Sequence, residues 1–292
     1  MPELPEVETL ARDLRAAVLG RTVTEAWVAP DAPRLVQEMP VETFVSGLRG
    51  RHIEDVGRRG KYLLVRLDRG LWWLAHRRMS GNILHRPQDA PDEPYLRARF
   101  RLDDGTELRF IDLRKFGTMW LTDDPDPILA KLGPEPLDGA FTADVLATIL
   151  KKRSSPVKAV LMDQNAIAGL GNLYADEALH YAGLHPLRPA HGISKQEAAR
   201  LRDGIVRALE QGLANLGSSV GNAGGEEVSL RDHVNLNGEP GGNQEYLVAY
   251  GREGRPCREC GMAIERLKIG NRSAHFCPRC QPKGRRRAKK RA

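Results

Sequence analysis

Ala98-Arg-Phe-Arg-Leu-Asp-Asp-Gly-Thr-Glu-Leu-Arg-Phe110 alternates apolar and charged residues on both sides of Asp104-Gly105. A period of two places Ala98, Phe100 and Leu102 on one face, so each half reads as a strand with one buried side. Asp-Gly between two such runs is the composition of a tight hairpin turn. Lys61-Tyr-Leu-Leu-Val-Arg-Leu67 repeats the pattern, and several short strands with turn signals between them fill residues 22 to 122. This predicts a β-sandwich or barrel-like first domain.

Upstream, Val7, Leu10, Ala11, Leu14 and Val18 recur at spacings of three and four, with Pro5 at the start and Glu6 and Glu8 in the first turn. That is an amphipathic helix over residues 5–18 that ends near Gly20. Downstream, Leu132-Gly-Pro-Glu-Pro-Leu-Asp-Gly139 has no periodicity and marks a domain boundary. Helical period then returns over 141–216: Thr142 and Ser155-Pro156 read as helix starts, and Ser194 with Glu197 forms a capping box ahead of Leu201, Ile205, Leu209, Leu213 and Leu216. Residues 217–242, rich in Gly, Asn and Glu, are expected to form a mobile loop. The class is therefore α+β. The expected division is 1–133 for the helix and sandwich, 134–140 for a linker, 141–242 for the helical domain with its loop, 243–282 for a cysteine-bearing hairpin and 283–292 for a disordered tail.

The 292 residues are 41% hydrophobic and 28% charged, enough to bury a sizeable core and too apolar for wholesale disorder. No run is long and apolar enough to span a membrane, and the first twenty residues lack a basic, then apolar, leader, so no membrane association or secretion is expected. The net charge is +7, and the tail from Lys283 alone holds that many cations, which suits attraction to a polyanion such as nucleic acid or simply a solvated end.

Cys257-Arg-Glu-Cys260 and Cys277-Pro-Arg-Cys280 stand sixteen residues apart, room for a hairpin that brings four thiolates around one ion. Structural zinc is the first reading, with another thiophilic metal or redox thiols as alternatives. A closed four-sulfur shell would hold the fold and leave function to the residues the hairpin presents: Lys268, Asn271, Arg272 and His275. Ile167-Ala-Gly-Leu-Gly-Asn172 precedes a helical stretch and reads either as a phosphate-binding turn or as a plain helix–helix turn.

At the N-terminus, Met1-Pro-Glu-Leu-Pro-Glu6 has two readings. Pro2 and Glu3 can merely introduce the helix. If Met1 is removed, Pro2 instead offers a secondary amine with a pKa near or below about 8, able to attack an aldehyde-level carbon, while Glu3 moves the protons.

Pro2-Glu3-Leu4-Pro5-Glu6, Gly60-Lys61-Tyr62-Leu63-Leu64, Met79-Ser80-Gly81, Asp112-Leu113-Arg114-Lys115-Phe116-Gly117, Gly169-Leu170-Gly171-Asn172 and the four-cysteine hairpin together resemble the bacterial formamidopyrimidine-DNA glycosylase family, in order and over nearly the whole chain. Leu4 favours this family over its sister, endonuclease VIII. The resemblance implies an N-terminal helix and β-sandwich, a helix-two-turn-helix domain and a zinc finger. The protein would be a monomeric enzyme of the bacterial cytoplasm that binds duplex DNA bearing oxidised or abasic sites, with one structural zinc on Cys257, Cys260, Cys277 and Cys280. It implies a glycosylase and AP lyase that excises oxidised purines. Pro2 is the nucleophile, Glu3 its proton shuttle, Lys61 supports β-elimination and Arg272 supports δ-elimination. Met79, Arg114 and Phe116 fill the space of an extruded nucleotide, and Arg153, Lys158 and Asn172 contact phosphates. Tyr95 stands where the family has a histidine, Lys115 where a second arginine is common, and the 217–242 stretch departs from the family's lesion-contacting loop. That departure keeps a glycosylase for oxidised pyrimidines in view. A non-catalytic reader of damaged DNA is the other alternative, which an imine-forming N-terminus argues against.

Overall fold

The computed structural model describes residues 2–219 and 233–283. The expected tail after Lys283 and the centre of the expected 217–242 loop lie outside the described residues. The chain divides into two compact units, residues 1–131 with 212–245 and residues 132–211 with 246–292.

The first unit is a helix and a β-sandwich. One antiparallel sheet has the order β1 (Val23–Val28), β6 (Leu96–Leu102), β7 (Thr106–Ile111) and β5 (Asn82–Pro87). The other has the order β2 (Ile53–Arg59), β3 (Tyr62–Leu67), β4 (Trp72–His76) and β8 (Thr118–Thr122). Asp104-Gly105 turns β6 into β7 as expected: Gly105 takes φ +83°, and Asp104 Oδ1 accepts the Thr106 N–H at 3.0 Å. Ala98, Phe100, Leu102, Leu108 and Phe110 all face the core, where Trp73 lies 4.3 Å from Phe100 by ring centroid.

The opposite face of β7 departs from simple alternation. Glu107 and Arg109 are fully buried because Glu107 accepts from Arg109 Nε at 2.6 Å and Arg109 also donates to Glu93 at 2.8 Å and to the Pro91 carbonyl at 2.6 Å. Segment 90–93 thus covers a charge ladder that a two-residue period assigns to solvent.

α1 (Leu4–Val18) starts one residue before the predicted helix and buries its apolar stripe, with Glu8 accepting from Arg58 on β2 at 2.8 Å. α2 (Val41–Leu48), which no sequence pattern signalled, adds Phe44 and Leu48 to the core. A single turn, α3 (Asp126–Leu129), precedes the irregular 132–139 stretch.

The second unit contains α4 (Ala143–Lys151), α5 (Val157–Met162), α6 (Asn172–Ala182), most of α7 (Lys195–Ala214), and a hairpin of β9 (Glu265–Ile269) and β10 (Arg272–Phe276). The predicted starts hold. Thr142 Oγ1 accepts from Val145 N–H at 3.3 Å, and Ser194 and Glu197 cap reciprocally at 2.9 and 3.3 Å. Leu201, Ile205 and Leu209 are fully buried. Leu216 breaks the extrapolated stripe: it lies past the end of α7 at φ +57° and is 54% exposed.

Gly204, in the interior of α7, is there for space. A Cβ at this position would stand 2.6 Å from the Ala178 carbonyl oxygen of α6. Alanine favours a helix over glycine by about 1 kcal/mol, but a backbone contact this short costs about 1–3 kcal/mol. Gly204→Ala is therefore expected to lower the thermal midpoint, and a raised midpoint in calorimetry would show that the two helices can separate at little cost.

Candidate active site and zinc centre

Pro2 and Glu3 immediately precede α1 and are buried. The Glu3 N–H donates to Glu6 Oε2 at 2.8 Å, and Glu6 Oε1 accepts the Ser218 N–H at 2.9 Å. One carboxylate thus fastens both the helix start and the chain at Ser218. Gly217 is tightly placed here, because a Cβ would meet Glu6 Cγ at 3.0 Å.

Lys61 does not open β3 but sits in the turn before it, after Gly60 at φ +57°, and only 4% of it is exposed. Its charge is felt by His76, whose pKa falls to about 3 through burial first and then through the cations Arg78, Lys61 and Arg77. His76 is therefore a neutral ring at physiological pH, edge-on to Tyr62 at 4.8 Å.

The expected gap-filling residues come together. Arg114 Nη1 lies 3.3 Å from Met79 Sδ, and its guanidinium covers the Phe116 ring at 4.6 Å. Phe116 is 48% exposed, unusual for a phenylalanine. Asp112 organises both loops. Its Oδ1 accepts from Ser80 Oγ at 2.5 Å and from Arg114 N–H at 3.1 Å, and its Oδ2 accepts from Phe116 and Gly117 N–H at 2.9 and 2.8 Å. Gly81 and Gly117 let the two loops close onto the Phe110 ring, which a Cβ on either would meet at 2.7 and 2.4 Å. Sequence reading quoted Asp112 within a motif and gave it no role. The available signal was an Asp followed two residues later by a chain reversal.

Tyr95 is exposed at φ +64°, its carbonyl accepts the Asp112 N–H at 3.0 Å, and the Arg97 guanidinium lies 5.9 Å from its ring. Lys115 donates to Asp31 Oδ2 at 2.6 Å.

In the second unit, Arg153 follows α4 and pairs with Asp163 at 2.8 Å beside a small cavity of 160 Å³ that Lys152 and Asn165 also line. Asn172 begins α6, and its buried Oδ1 has no hydrogen-bond partner among the described residues. Lys158 differs from the expected phosphate contact. It has no exposed surface, its Nζ pairs with the fully buried Asp176 at 2.7 Å, and it donates to the Ser273 carbonyl at 2.5 Å. Asp176 Oδ2 accepts the His275 N–H at 2.9 Å. This ion pair holds β10 just beyond Arg272, which is exposed at the hairpin tip. His275, expected on the presented face, is buried for the same reason.

The four cysteine sulfurs lie within 4.8 Å of one another, with Cys260–Cys277 at 3.4 Å and Cys257–Cys280 at 3.9 Å. Four sulfurs about 2.3 Å from a tetrahedral zinc stand about 3.8 Å apart, so the donor set fits that ion. His180 Nε2 approaches Cys257 Sγ at 3.4 Å, and Gln281 ties the second knuckle to the Leu184 carbonyl at 2.8 Å.

Comparison with known proteins matches residues 1–119 to the formamidopyrimidine-DNA glycosylase N-terminal domain, 132–223 to the H2TH domain of the same glycosylase, and 254–283 to the zinc finger found in FPG and IleRS. The chain belongs to the formamidopyrimidine-DNA glycosylase family. A relative from Roseiflexus sp. is 44% identical over 96% of this chain and all of that protein, and one from Moorella thermoacetica is 45% identical over 92% and 95%. Among solved structures, the Thermus thermophilus MutM (FPG) protein superposes with a TM-score of 0.84 at 38% identity, over 97% of this chain and all of that one. The Lactococcus lactis FPG (MutM), in complex with Fapy-dG-containing DNA, gives a TM-score of 0.86 at 32% identity over 96% of this chain and all of that one. The family's zinc finger is thus the four-cysteine cluster seen here, and the metal is a structural zinc ion. No helix among the described residues is long and apolar enough to cross a membrane.

Two expectations follow. Lys158→Met leaves the Asp176 carboxylate buried without its cation and should cost about 3–5 kcal/mol in unfolding free energy. Loss of DNA affinity with unchanged stability would instead return Lys158 to a surface role. Cys257→Ser should release zinc, measured by a chromogenic chelator, and unfold the hairpin. Full retention of zinc would mean that three sulfurs suffice.

Proposed function

We propose that this protein is a bifunctional glycosylase and AP lyase that removes oxidised purines, 8-oxoguanine and formamidopyrimidines, from duplex DNA in base excision repair. The observation that carries the reading is the buried Pro2-Glu3 pair at the head of α1 in a chain of this family. The family's solved neighbours include Lactococcus lactis complexes with Fapy-dG DNA and with abasic-site DNA.

With Met1 removed, the lone pair of the Pro2 nitrogen attacks C1′ of the damaged nucleoside. The bond from C1′ to the base breaks, the base leaves with its electron pair, and Glu3 exchanges protons at the sugar. The nitrogen lone pair then breaks the C1′–O4′ bond, and O4′ takes its proton from Glu3 as the ring opens. The resulting iminium acidifies the C2′–H bond, so that loss of that proton expels the 3′ phosphate and a second elimination expels the 5′ phosphate. A buried ammonium such as Lys61 suits the first elimination. Arg272 brings a fork for two oxygens of one phosphate to the second. Extruding the nucleotide costs a few kcal/mol, which Met79, Arg114 and Phe116 offset by occupying the gap. Arg153, Asn172 and the Tyr95 hydroxyl contact the backbone, while Lys158 acts indirectly by holding the strand that carries Arg272. Zinc supplies no chemistry and fixes the hairpin. In this reading the first 133 residues carry the nucleophile, its proton shuttle and Lys61, 141–242 and 243–282 grip DNA and bring Arg272 to the second elimination, and the basic tail from Lys283 adds attraction. The enzyme works as a monomer in the bacterial cytoplasm or nucleoid.

The decisive experiment is borohydride trapping with peptide mapping, on an 8-oxoguanine·cytosine duplex and an abasic duplex side by side. An adduct at Pro2 on the first is expected. Trapping on the abasic duplex alone moves the substrate to another lesion class, with oxidised pyrimidines the first to try, and binding with no adduct on either points to a non-catalytic reader. Pro2→Gly should abolish the adduct. Glu3→Gln should slow base release by roughly 10²- to 10⁴-fold, the range of a positioned proton-transfer group.

A further inference from the structure

Arg77 follows β4 and is one of the largest fully buried side chains of the first unit. Its Nε donates to the Gly81 carbonyl at 2.7 Å, Nη2 donates to Asn82 Oδ1, and Nη1 lies 3.2 Å from His233 Nδ1. All of these partners are neutral, and among the described residues no carboxylate bonds it. Burial draws its pKa down to about 10 against the opposing pull of the Glu6 charge, so the guanidinium remains a cation at physiological pH.

A guanidinium only donates. His233 Nδ1 must therefore accept, which fixes His233 as a neutral ring with its proton on Nε2. The bond has one direction and one tautomer, so it locates the His233 ring as a charged surface pair could not.

The segments joined in this way are three. The first is the turn from Arg77 to Gly81, which carries Met79 at its tip and is closed a second time by Gly81 N–H to the Arg77 carbonyl at 3.1 Å. The second is the start of β5 at Asn82, whose Oδ1 also faces the Val234 N–H at 3.5 Å. The third is the stretch from His233 to Leu236, held onto β5 by His85 N–H to the Leu236 carbonyl at 3.0 Å. Ser219 Oγ donates to the His233 backbone carbonyl, so the chain before and after the undescribed residues meets at this one residue. A buried cation with only neutral partners is costly, and apolar side chains of the same volume would hold a sheet edge as well. What the guanidinium adds is a fixed geometry between the Met79 turn and His233.

We infer that Arg77 is a positioning residue for nucleotide extrusion, coupling the Met79 turn to the His233–Leu236 stretch so that the wedge is presented only when both are in place. This deepens the function proposed above and rests on its assignment of Met79 as the wedge.

The test is a double-mutant cycle on the full-length, zinc-loaded protein with Arg77→Met, His233→Phe and the pair. The readout is stopped-flow fluorescence of 2-aminopurine beside a tetrahydrofuran abasic analogue, which reports unstacking without any base release. Each single variant should slow the unstacking phase by about tenfold or more. The double variant should be no slower than the singles, and equilibrium binding of the same duplex should stay near wild type. Additive effects, or an unchanged unstacking phase, would overturn the inference. Should Arg77→Met fail to fold, Arg77→Lys keeps the charge but not the three-way fork and is expected to show the same slow phase. His233→Phe alone removes only the acceptor. Because the analogue cannot be excised, normal unstacking by a wild-type protein that releases no 8-oxoguanine would fail the proposed activity and leave this inference standing.

Discussion

The first unit is organised around one carboxylate. Asp112 is 1% exposed, and its two oxygens take four donors from two loops that are distant in sequence. Bonds to an ionised acceptor are stronger than neutral ones, and leaving such a group half-satisfied in the interior is expensive. The loop from Arg114 to Gly117 and the turn at Ser80 therefore form together or not at all. Beneath them the Phe110 ring sets the distance of closest approach, which only glycine at 81 and 117 allows. Sandwich core, loop conformation and the exposed Arg114–Phe116 pair are consequences of a single packing problem.

The second unit solves a different problem by a related means. Its hairpin is short, and two strands of five residues have little apolar surface of their own. Zinc closes one end. The strand and the chain before it are held from α5 and α6: Lys158 reaches the Ser273 carbonyl, Asp176 takes the His275 N–H, and Glu177 accepts three consecutive backbone donors, from Val248, Ala249 and Tyr250, at 2.8, 2.9 and 2.8 Å. Neighbouring acids on one helix thus fix the strand that bears Arg272 and the chain that leads to the first knuckle. Arg272 can be exposed and still be accurately placed because the strand that follows it is held at Ser273 and His275.

Local signals carried the sequence reading a long way. Alternation gave β6 and β7, Asp104-Gly105 gave their turn, Ser194 and Glu197 gave the start of α7, and the cysteine spacing gave the metal cluster. Each is a pattern within about twenty residues. What escaped was any role set by distant partners. The family resemblance places Lys158 among the phosphate contacts, and nothing within ten residues reveals Asp176. Arg109 and Glu107 look like solvent-facing strand residues until segment 90–93 folds over them. His275 shares the error, since a two-residue period cannot tell a face that meets solvent from one that meets α6. Leu216 failed in the opposite way, because the helical period was extended past a helix end that only a positive φ marks.

Two buried arginines in the same unit show how far partner choice matters. Burial presses the Arg109 guanidinium down, but hydrogen bonds and charge from Glu93 and Glu107 outweigh it and leave the group above its ordinary value. Arg109 is a compensated charge, and its purpose is met by covering the outer face of β7. Arg77 is compensated far less: its hydrogen bonds go to a carbonyl, an amide and an imidazole, the Glu6 charge acts on it without a bond, and its pKa sits below the ordinary value. Stability alone would favour the first arrangement or an apolar side chain at the second. A buried cation without a bonded carboxylate is kept where geometry matters more than the last increment of stability. Here that place is the junction of the Met79 turn and the chain at His233, within reach of the Glu6 charge.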